Sequence, residues 1–541
     1  MRTKFNKTVV SVMILSILIA TSSCTEDFQK INTTQNQPTA ASVQWLITGI
    51  ESTLVLQAQE QASLHIDYYY PATQLGAESA QSGYLLISGA TDVWKDYYTT
   101  LENINLVQDK INAASDVESY NNIQGVLNVL KAYKTFRVTD QFGDIPYFNA
   151  GKTYKRDVAN YRPAYDDQSA IYADLLKGLK WAVDNFNSDA NAKSTAGNAY
   201  VSLASADVIF DNNISKWQKF ANSLLLRYSL QMVEVNPTDA KTYIAYAMDK
   251  DLFIDDGDDA GIWPGKLSLT LPNRPWSFGS GGTGYIRTSS TLWNLVADGT
   301  ATGDIFDPRA LIFASPNAAG DWAPYVIGSG EGDKVNPYNK YNSTDAVDLA
   351  NCLFSPFNPY LVRDQRYIPE LFMTSAETHF LKAEVYLRGL GVSQSTSSAQ
   401  TEYEAGITAS VTFWKSIANS TDNVDDPWHS TAPIDFTPYS TANLLANAKV
   451  AFTSDDTDNL NKIYAQEWLD SFRQPWLAFN LWRRTGLTPT DPDAVEDATH
   501  ASFYKLPYPQ DEATQNTVNY NAQLAKIGGT NTSTTKVWWM K

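Results

Sequence analysis

Cysteine is nearly missing from this chain. Cys24 and Cys352 are the only two in 541 residues, too few for a disulfide framework. Histidine is almost as scarce. His65, His379, His429 and His500 show no metal-ligand spacing. Basic residues are outnumbered, 41 against 59 acidic ones, and the formal charge is −18. Such a surface excludes nucleic acid and anionic lipid headgroups as natural partners, because both require basic patches. No Gly-x-Ser-x-Gly elbow occurs, and Cys352 has no sequence-evident partner for nucleophilic work. Strand signals are few and short. The apolar run near the start falls well short of the ~20 residues that a bilayer span needs.

That run has another reading. Arg2, Lys4 and Lys7 precede it, and small residues lead from it to Cys24 and the acidic pair Glu26-Asp27. This is the pattern of a secretory signal cut before a cysteine that receives lipid. Residues 1–23 are expected to be the signal and Cys24 the lipidation site. Thr21 stands three positions before Cys24, where such signals prefer Leu, so a cleaved signal without lipid is the rival. Loss of the signal makes the chain three charges more negative. Lipid, not a polybasic face, would then hold it at a membrane. Residues 24–41 are polar and aperiodic and read as a tether; residues 25–41 fully extended reach about 55 Å.

Residues 42–541 are expected to form a single domain, mainly α. Apolar residues recur at helical spacing in Ile123, Val126, Leu127, Leu130 and Tyr133, and again in Ile171, Leu175, Leu179, Ala182 and Phe186. Trp217, Phe220, Leu224, Leu225 and Tyr228 repeat the stripe. So do Ala376, Phe380, Ala383 and Leu387, then Trp468, Phe472, Trp476 and Phe479. Further helices are expected near 43–61, 92–113, 238–250 and 402–417. Pro475 should kink or split its helix. Helices with one apolar stripe and short connections pack as stacked hairpins, the tetratricopeptide-like way of burying such faces, although no clean 34-residue repeat appears.

Residues from about 251 to 368 break the pattern. Gly and Pro punctuate them, and aromatic rings are dense. A long irregular, aromatic-rich insertion in a helical body is usually functional when it is ordered. An indole or phenol covers the apolar face of a sugar ring, while amides and carboxylates bond its hydroxyl rim. Arg274, Trp276, Phe278, Tyr285, Trp322, Tyr325, Tyr338 and Tyr341 supply this mixture. A second group, Tyr68, Tyr69 and Tyr84, is expected between the first two helices. The competing reading is that these rings pin a long loop as a small core of their own.

Other motifs carry less. Gly279-x-Gly281-x-x-Gly284 matches a dinucleotide fingerprint in letters only, since no strand precedes it. Gly151-Lys152-Thr153 lacks the upstream glycine of a phosphate loop, Pro146 standing in its place. No cofactor signature is present. The Asp255–Asp259 run is the one candidate for calcium, against a plain solvated acidic turn; Lys266 occupies the position where an EF-hand places its last Glu. Paired carboxylates for glycoside cleavage need only proximity in space, and sequence spacing does not address them.

Several segments, taken in order, resemble the SusD/RagB family of outer-membrane lipoproteins, in its SusD-like branch. They are Phe28–Asn32, Phe136–Tyr147, Lys216–Arg227, Asp307-Pro308-Arg309, Ser375–Glu384, Trp482–Gly486, Leu506–Pro509 and Val537–Trp539. The resemblance implies four tetratricopeptide-like helix pairs with a long irregular region. It implies a cell-surface outer-membrane lipoprotein, with Glu26-Asp27 as its export feature, and a SusC-like TonB-dependent transporter as partner. The expected function is non-catalytic capture of an oligosaccharide for that transporter. A peptide cargo, a surface glycoside hydrolase and a ligand-free structural subunit are the alternatives. The family's binding residues do not transfer one by one, so the aromatic candidates rest on loop position and composition.

Overall fold

The computed structural model describes residues 42–56, 60–78, 86–267, 286–317, 319–329, 353–358, 369–420, 434–495 and 498–540. Cys24 and the signal and tether segments lie outside them. The fold is mainly α, built of helical hairpins. Ten helices make the body: α1 Val43–Ser52, α2 Leu86–Asn112, α3 Asn121–Phe142, α4 Gln168–Asn185, α5 Ile214–Gln231, α6 Pro237–Met248, α7 Ser375–Arg388, α8 Thr396–Ser420, α9 Asp456–Asp470 and α10 Pro475–Thr485. Successive helices from α2 to α6 pack on one another; α7 packs on α8 and α9, and α9 on α10.

The five apolar stripes read from the sequence are all buried. Local chemistry sets the helix ends. The Asn213 side chain accepts from Lys216 N at the start of α5, and the Thr374 hydroxyl accepts from Glu377 N at the start of α7. These bonds satisfy amides that have no partner within the helix. Gly389 and Gly486 end α7 and α10 in the left-handed conformation, φ 62° and 67°, which costs glycine no Cβ clash. Pro475 splits its helix as the sequence requires. It opens α10 at the first turn, where the missing N–H does no harm, after a 3-10 turn over Ser471–Arg473.

The first helix differs from the sequence reading. Helix α1 stops at Ser52 and does not run to residue 61. The Ser52 and Thr53 hydroxyls donate back to Gly49 O and Ile50 O at 2.7 Å, competing for carbonyls at the helix end. After a gap, Gln61–Tyr69 forms a π-helical segment that continues into a short α-turn, Tyr70–Ala72.

The apolar interior has two clusters. One gathers α1 to α6 with the C-terminal residues Val537 and Trp539. The other gathers the insertion with α7, α8 and α9. The π-helical segment and the turn after it lie between them: Leu64, Tyr68 and Tyr69 belong to the first cluster, Ile66, Tyr70 and Leu75 to the second.

Buried ion pairs and hydrogen-bonded acids stitch these parts together, and segments that carry the family resemblance supply many of them. Arg227 on α5 clamps Glu377 on α7 with two bonds of 2.5 Å and donates to Phe372 O at 3.0 Å. Glu384 on α7 accepts from Arg484 at 2.7 and 2.8 Å, from Arg388 at 2.7 Å and from the Tyr464 hydroxyl at 2.9 Å. Asp140 on α3 accepts from Tyr172, Asn480 and the Trp539 indole at 2.5, 3.0 and 2.8 Å. Arg309, fully buried, pairs with Asp307 at 2.6 Å and reaches Ser410 on α8 and Gln466 on α9 at 3.0 and 2.5 Å. The Asp-Pro-Arg turn thus fastens the insertion to the body. Charges as deeply buried as these persist only when paired.

Candidate functional site

The irregular region is organised around a small platform of short extended segments. Strand β1, Ala77–Glu78, pairs antiparallel with β3, Ile286–Arg287. Strand β2, Ala260–Ile262, pairs separately with β4, Glu370–Met373. Around β3 the chain closes a knot of backbone bonds. Thr288 N donates to Ser355 O at 3.0 Å, Tyr325 N to Thr288 O at 2.9 Å, Ser290 N to Tyr325 O at 3.0 Å, and Ser355 N to Ala323 O at 2.8 Å. Gln74, held at φ 57°, supplies side-chain cement. Its backbone oxygen accepts from Ser289 and its carboxamide oxygen from Thr291, both at 2.6 Å. Gly76 is required here, because a Cβ would sit 2.7 Å from the Phe357 ring.

Residues 77–78, 286–290, 323–325 and 355–356 make up the platform. The stretches joined to it in sequence, 79–85, 268–285, 330–352 and 359–368, lie outside the described residues. Seven candidate residues fall in them: Tyr84, Arg274, Trp276, Phe278, Tyr285, Tyr338 and Tyr341. The two described insertion candidates brace the platform itself. Trp322 stacks on Trp293, centroids 4.8 Å apart at 26°, and its indole N–H donates to Thr302 at 3.2 Å. Tyr325 meets Phe354 edge-on at 4.8 Å. Both are buried. Trp293, the stacking partner, was not singled out from the sequence; its place opposite Trp322 depends on a contact between distant positions.

Tyr68 and Tyr69 stand elsewhere. The sequence places them between two helices, facing a ligand; the structure places them within the π-helical segment, buried between the two clusters. Tyr69 stacks on Phe479 at 4.9 Å and donates its hydroxyl to Gln141 Oε1 at 2.7 Å; Tyr68 packs on Phe503 at 4.8 Å. A run of three tyrosines has no helical period, so the signal that marks a buried face is absent from the letters.

The Asp255–Asp259 run is engaged by protein groups. Lys219 Nζ contacts Asp255 and Asp258 at 2.7 and 2.8 Å, and Ser375 N donates to Asp259 at 3.0 Å. Burial pushes the Asp259 carboxyl up to about 6. Among the described residues no group of three or more His, Cys, Asp or Glu is placed to hold a metal ion. His379 is a packed helix residue, held between Glu402 Oε2 at 2.7 Å and Ile254 O at 3.1 Å.

Among the open cavities of the described residues, one of about 490 Å³ lies beside β2, lined by Asp211, Asn213, Lys216, Trp263 and Lys266 over a floor of Val208, Ile209 and Phe210. In the sequence Trp263 is one of the dense rings of residues 251–368, with nothing to set it apart. The Asp-Asn-Asn turn at 211–213 was the available hint.

The fold and its irregular platform agree with a profile match over residues 33–509 to the SusD-like family, described as "Starch-binding associating with outer membrane". The chain belongs to the SusD-like family. Solved structures share the fold along nearly the whole length. One named as a chitin-binding protein is 23% identical with a TM-score of 0.66, covering 92% of this chain and 100% of its own. A chitin-binding SusD homolog from Flavobacterium johnsoniae is 22% identical with a TM-score of 0.65, covering 91% and 97%. A SusD homolog from Bacteroides fragilis is 22% identical with a TM-score of 0.67, covering 93% and 100%. Among curated proteins no sequence matches. In this SusD-like chain several segments of the resemblance, Lys216–Arg227, Asp307–Arg309, Ser375–Glu384 and Trp482–Gly486, supply the buried ion pairs of the helical body and its junction with the insertion.

Proposed function

We propose that this protein is a non-catalytic lipoprotein of the outer-membrane surface, anchored through Cys24. It captures oligosaccharide and passes it to a SusC-like TonB-dependent transporter. The observation that carries the reading is the family match over residues 33–509. It is supported by the platform at which the aromatic-bearing stretches join the body. Two proteins of the same fold are named for binding chitin. On this reading Trp276, Phe278, Tyr285, Tyr338, Tyr341 and Tyr84 present rings to sugar faces, and Arg274 bonds the hydroxyl rim. Trp322 and Tyr325 hold the platform that carries them. The reading calls for no cofactor. Flat rings contribute affinity by covering apolar C–H faces, and the gain is lost when one ring is removed.

The test is a titration of the purified Cys24→Ser protein with soluble maltohexaose, chitohexaose and cellohexaose, beside a panel of short peptides. Binding of a hexasaccharide, unaccompanied by its cleavage, is expected. Binding of peptides alone would move the cargo to peptide, and release of shorter sugars would make the protein a hydrolase.

A further inference from the structure

The pocket beside β2 has a construction that the helical body does not require. Its rim is the 207–213 loop, and buried Asp207 builds that loop. One carboxylate oxygen accepts from Ile209 N and Phe210 N at 3.0 Å each; the other accepts from Asn212 N at 2.8 Å and the Trp217 indole at 2.7 Å. The Asn212 side chain in turn accepts from Leu203 N at 2.9 Å. So held, Asp211 and Asn212 adopt left-handed backbone in succession, φ 54° and 63°. Two such residues in a row that are not glycine are uncommon, and strained backbone of this kind gathers at ligand sites. The result is to turn Asp211 outward on a rigid support.

What Asp211 faces is a set of complementary groups. Lys266 Nζ lies 2.7 and 2.6 Å from its two carboxylate oxygens. Lys216 is held at the rim by its bond to Gly257 O at 2.7 Å. Asn213 adds a carboxamide. The half-buried Trp263 indole rests against Gly261, where a Cβ would come within 3.3 Å of the ring. Beneath lie the apolar residues Val208, Ile209 and Phe210. The cavity, about 490 Å³, is within the usual ~300–1,000 Å³ of small-ligand sites.

This set selects by chemistry. A half-exposed indole over an apolar floor suits a ring with one apolar face. An exposed carboxylate keeps lone pairs free beyond its lysine, and each ammonium has three protons to offer, so the rim both accepts and donates. Asp259 also lines the pocket, so two acids, Asp211 and Asp259, stand against two lysines, Lys216 and Lys266, which favours a neutral ligand rich in hydroxyls over an acidic or basic one. We infer that the Asp211–Trp263–Lys266 pocket is a second binding site for a neutral saccharide, with Trp263 as the stacking ring and Asp211, Asn213, Lys216 and Lys266 as the hydroxyl-binding rim. The site rests on the saccharide reading given above and adds a locus to it, outside the platform. Lys266 stands ten residues before Trp276, so the two loci are close along the chain.

Calorimetric titration of the Cys24→Ser protein with the hexasaccharide that binds best tests it. Two saccharides per protein are expected. Trp263→Ala should remove one of the two events, or weaken it about tenfold, the loss of one stacked ring. Asp211→Asn should weaken the same event less, and Trp263→Phe, which keeps a ring, should largely restore it. Thermal midpoints of all three variants should stay at the wild-type value, since these side chains are at the rim. Wild-type stoichiometry and affinity in Trp263→Ala would overturn the site. Loss of the other event alone in Trp276→Ala would show that the two loci are separate. One event, sensitive to Trp276→Ala and not to Trp263→Ala, removes this pocket and leaves the proposed function standing. No binding by the wild-type protein removes both.

Discussion

The helical body and the platform are held by different forces. In the body, charged groups are buried and paired, Arg227 with Glu377 and Arg484 with Glu384 across helices and Arg388 with Glu384 within α7, while Arg309 pairs with Asp307 inside the turn that fastens the insertion to the body. At the platform, backbone bonds and hydroxyls dominate, through Thr288, Ser289, Ser355 and Gln74. The helices need cross-links because each buries only one stripe, and the ion pairs fix which stripe meets which. The platform relies mainly on short extended segments that satisfy each other's backbone groups, with Arg287 of β3 fully buried among them and donating to Ile286 O at 2.8 Å. It follows that changes to body charges should cost stability, while changes in the stretches that leave the platform should alter binding alone.

The largest effect is expected at the point where the two regions meet. Arg309→Leu leaves Asp307 buried without its partner, and breaking such a pair costs roughly 3–5 kcal/mol. Urea unfolding would read this as a lower midpoint. A midpoint within error of the wild type would mean that the insertion is not fastened through this turn.

Acidity probes the body next. Burial alone would raise Glu384, but Arg484 and then Arg388 pull its carboxyl down to about 2. Its folded value lies below the unfolded value near 4.5, so its contribution is present above about pH 4.5 and is lost as the pH falls toward 2. Glu467 behaves oppositely. Burial pushes it up to about 8, with Arg484 opposing, so the folded protein keeps a proton that the unfolded chain releases. That contribution is full below about pH 4.5 and declines as the pH rises through 8. Glu467→Gln should therefore gain stability relative to wild type at pH 8 and show little difference at pH 4. An unchanged pH profile would contradict the assignment.

Smaller effects separate ring from ring. Trp276→Ala should lower hexasaccharide affinity about tenfold, or ~1.4 kcal/mol, with no change in thermal midpoint. Tyr69→Phe should do the reverse. It removes the hydroxyl that meets Gln141, costing on the order of 1 kcal/mol of stability, and leaves affinity intact. If Tyr69→Phe weakened binding, the π-helical segment would have to belong to the ligand site as well as to the core.

How much of this was legible in the letters follows from the same contrast. Helix stripes are local and periodic, so α3, α4, α5 and α7 were readable, and Pro475 marked its break. The helices expected near 92–113 and 402–417 start earlier, at Leu86 and Thr396; Gly89 falls inside the first of them, where its backbone packs closely against Leu64. The ordered segments gave the family and hence the hairpin architecture. What stayed hidden depends on contacts between distant positions. The stacking of Trp293 on Trp322, the pairing of β1 with β3 across some two hundred residues, and the burial of Tyr68 and Tyr69 have no period to read. The Asp207 loop was also invisible, since a carboxylate that organises four donors looks in sequence like any other acid.

The central claim is that the body folds by its buried pairs and the aromatic-bearing stretches at the platform bind. Its most direct test is one paired measurement on Trp276→Ala in the Cys24→Ser background, hexasaccharide affinity by calorimetric titration and thermal midpoint on the same sample. The account predicts an affinity about tenfold weaker and an unchanged midpoint. Unchanged affinity, or a loss that follows a fallen midpoint, would contradict it.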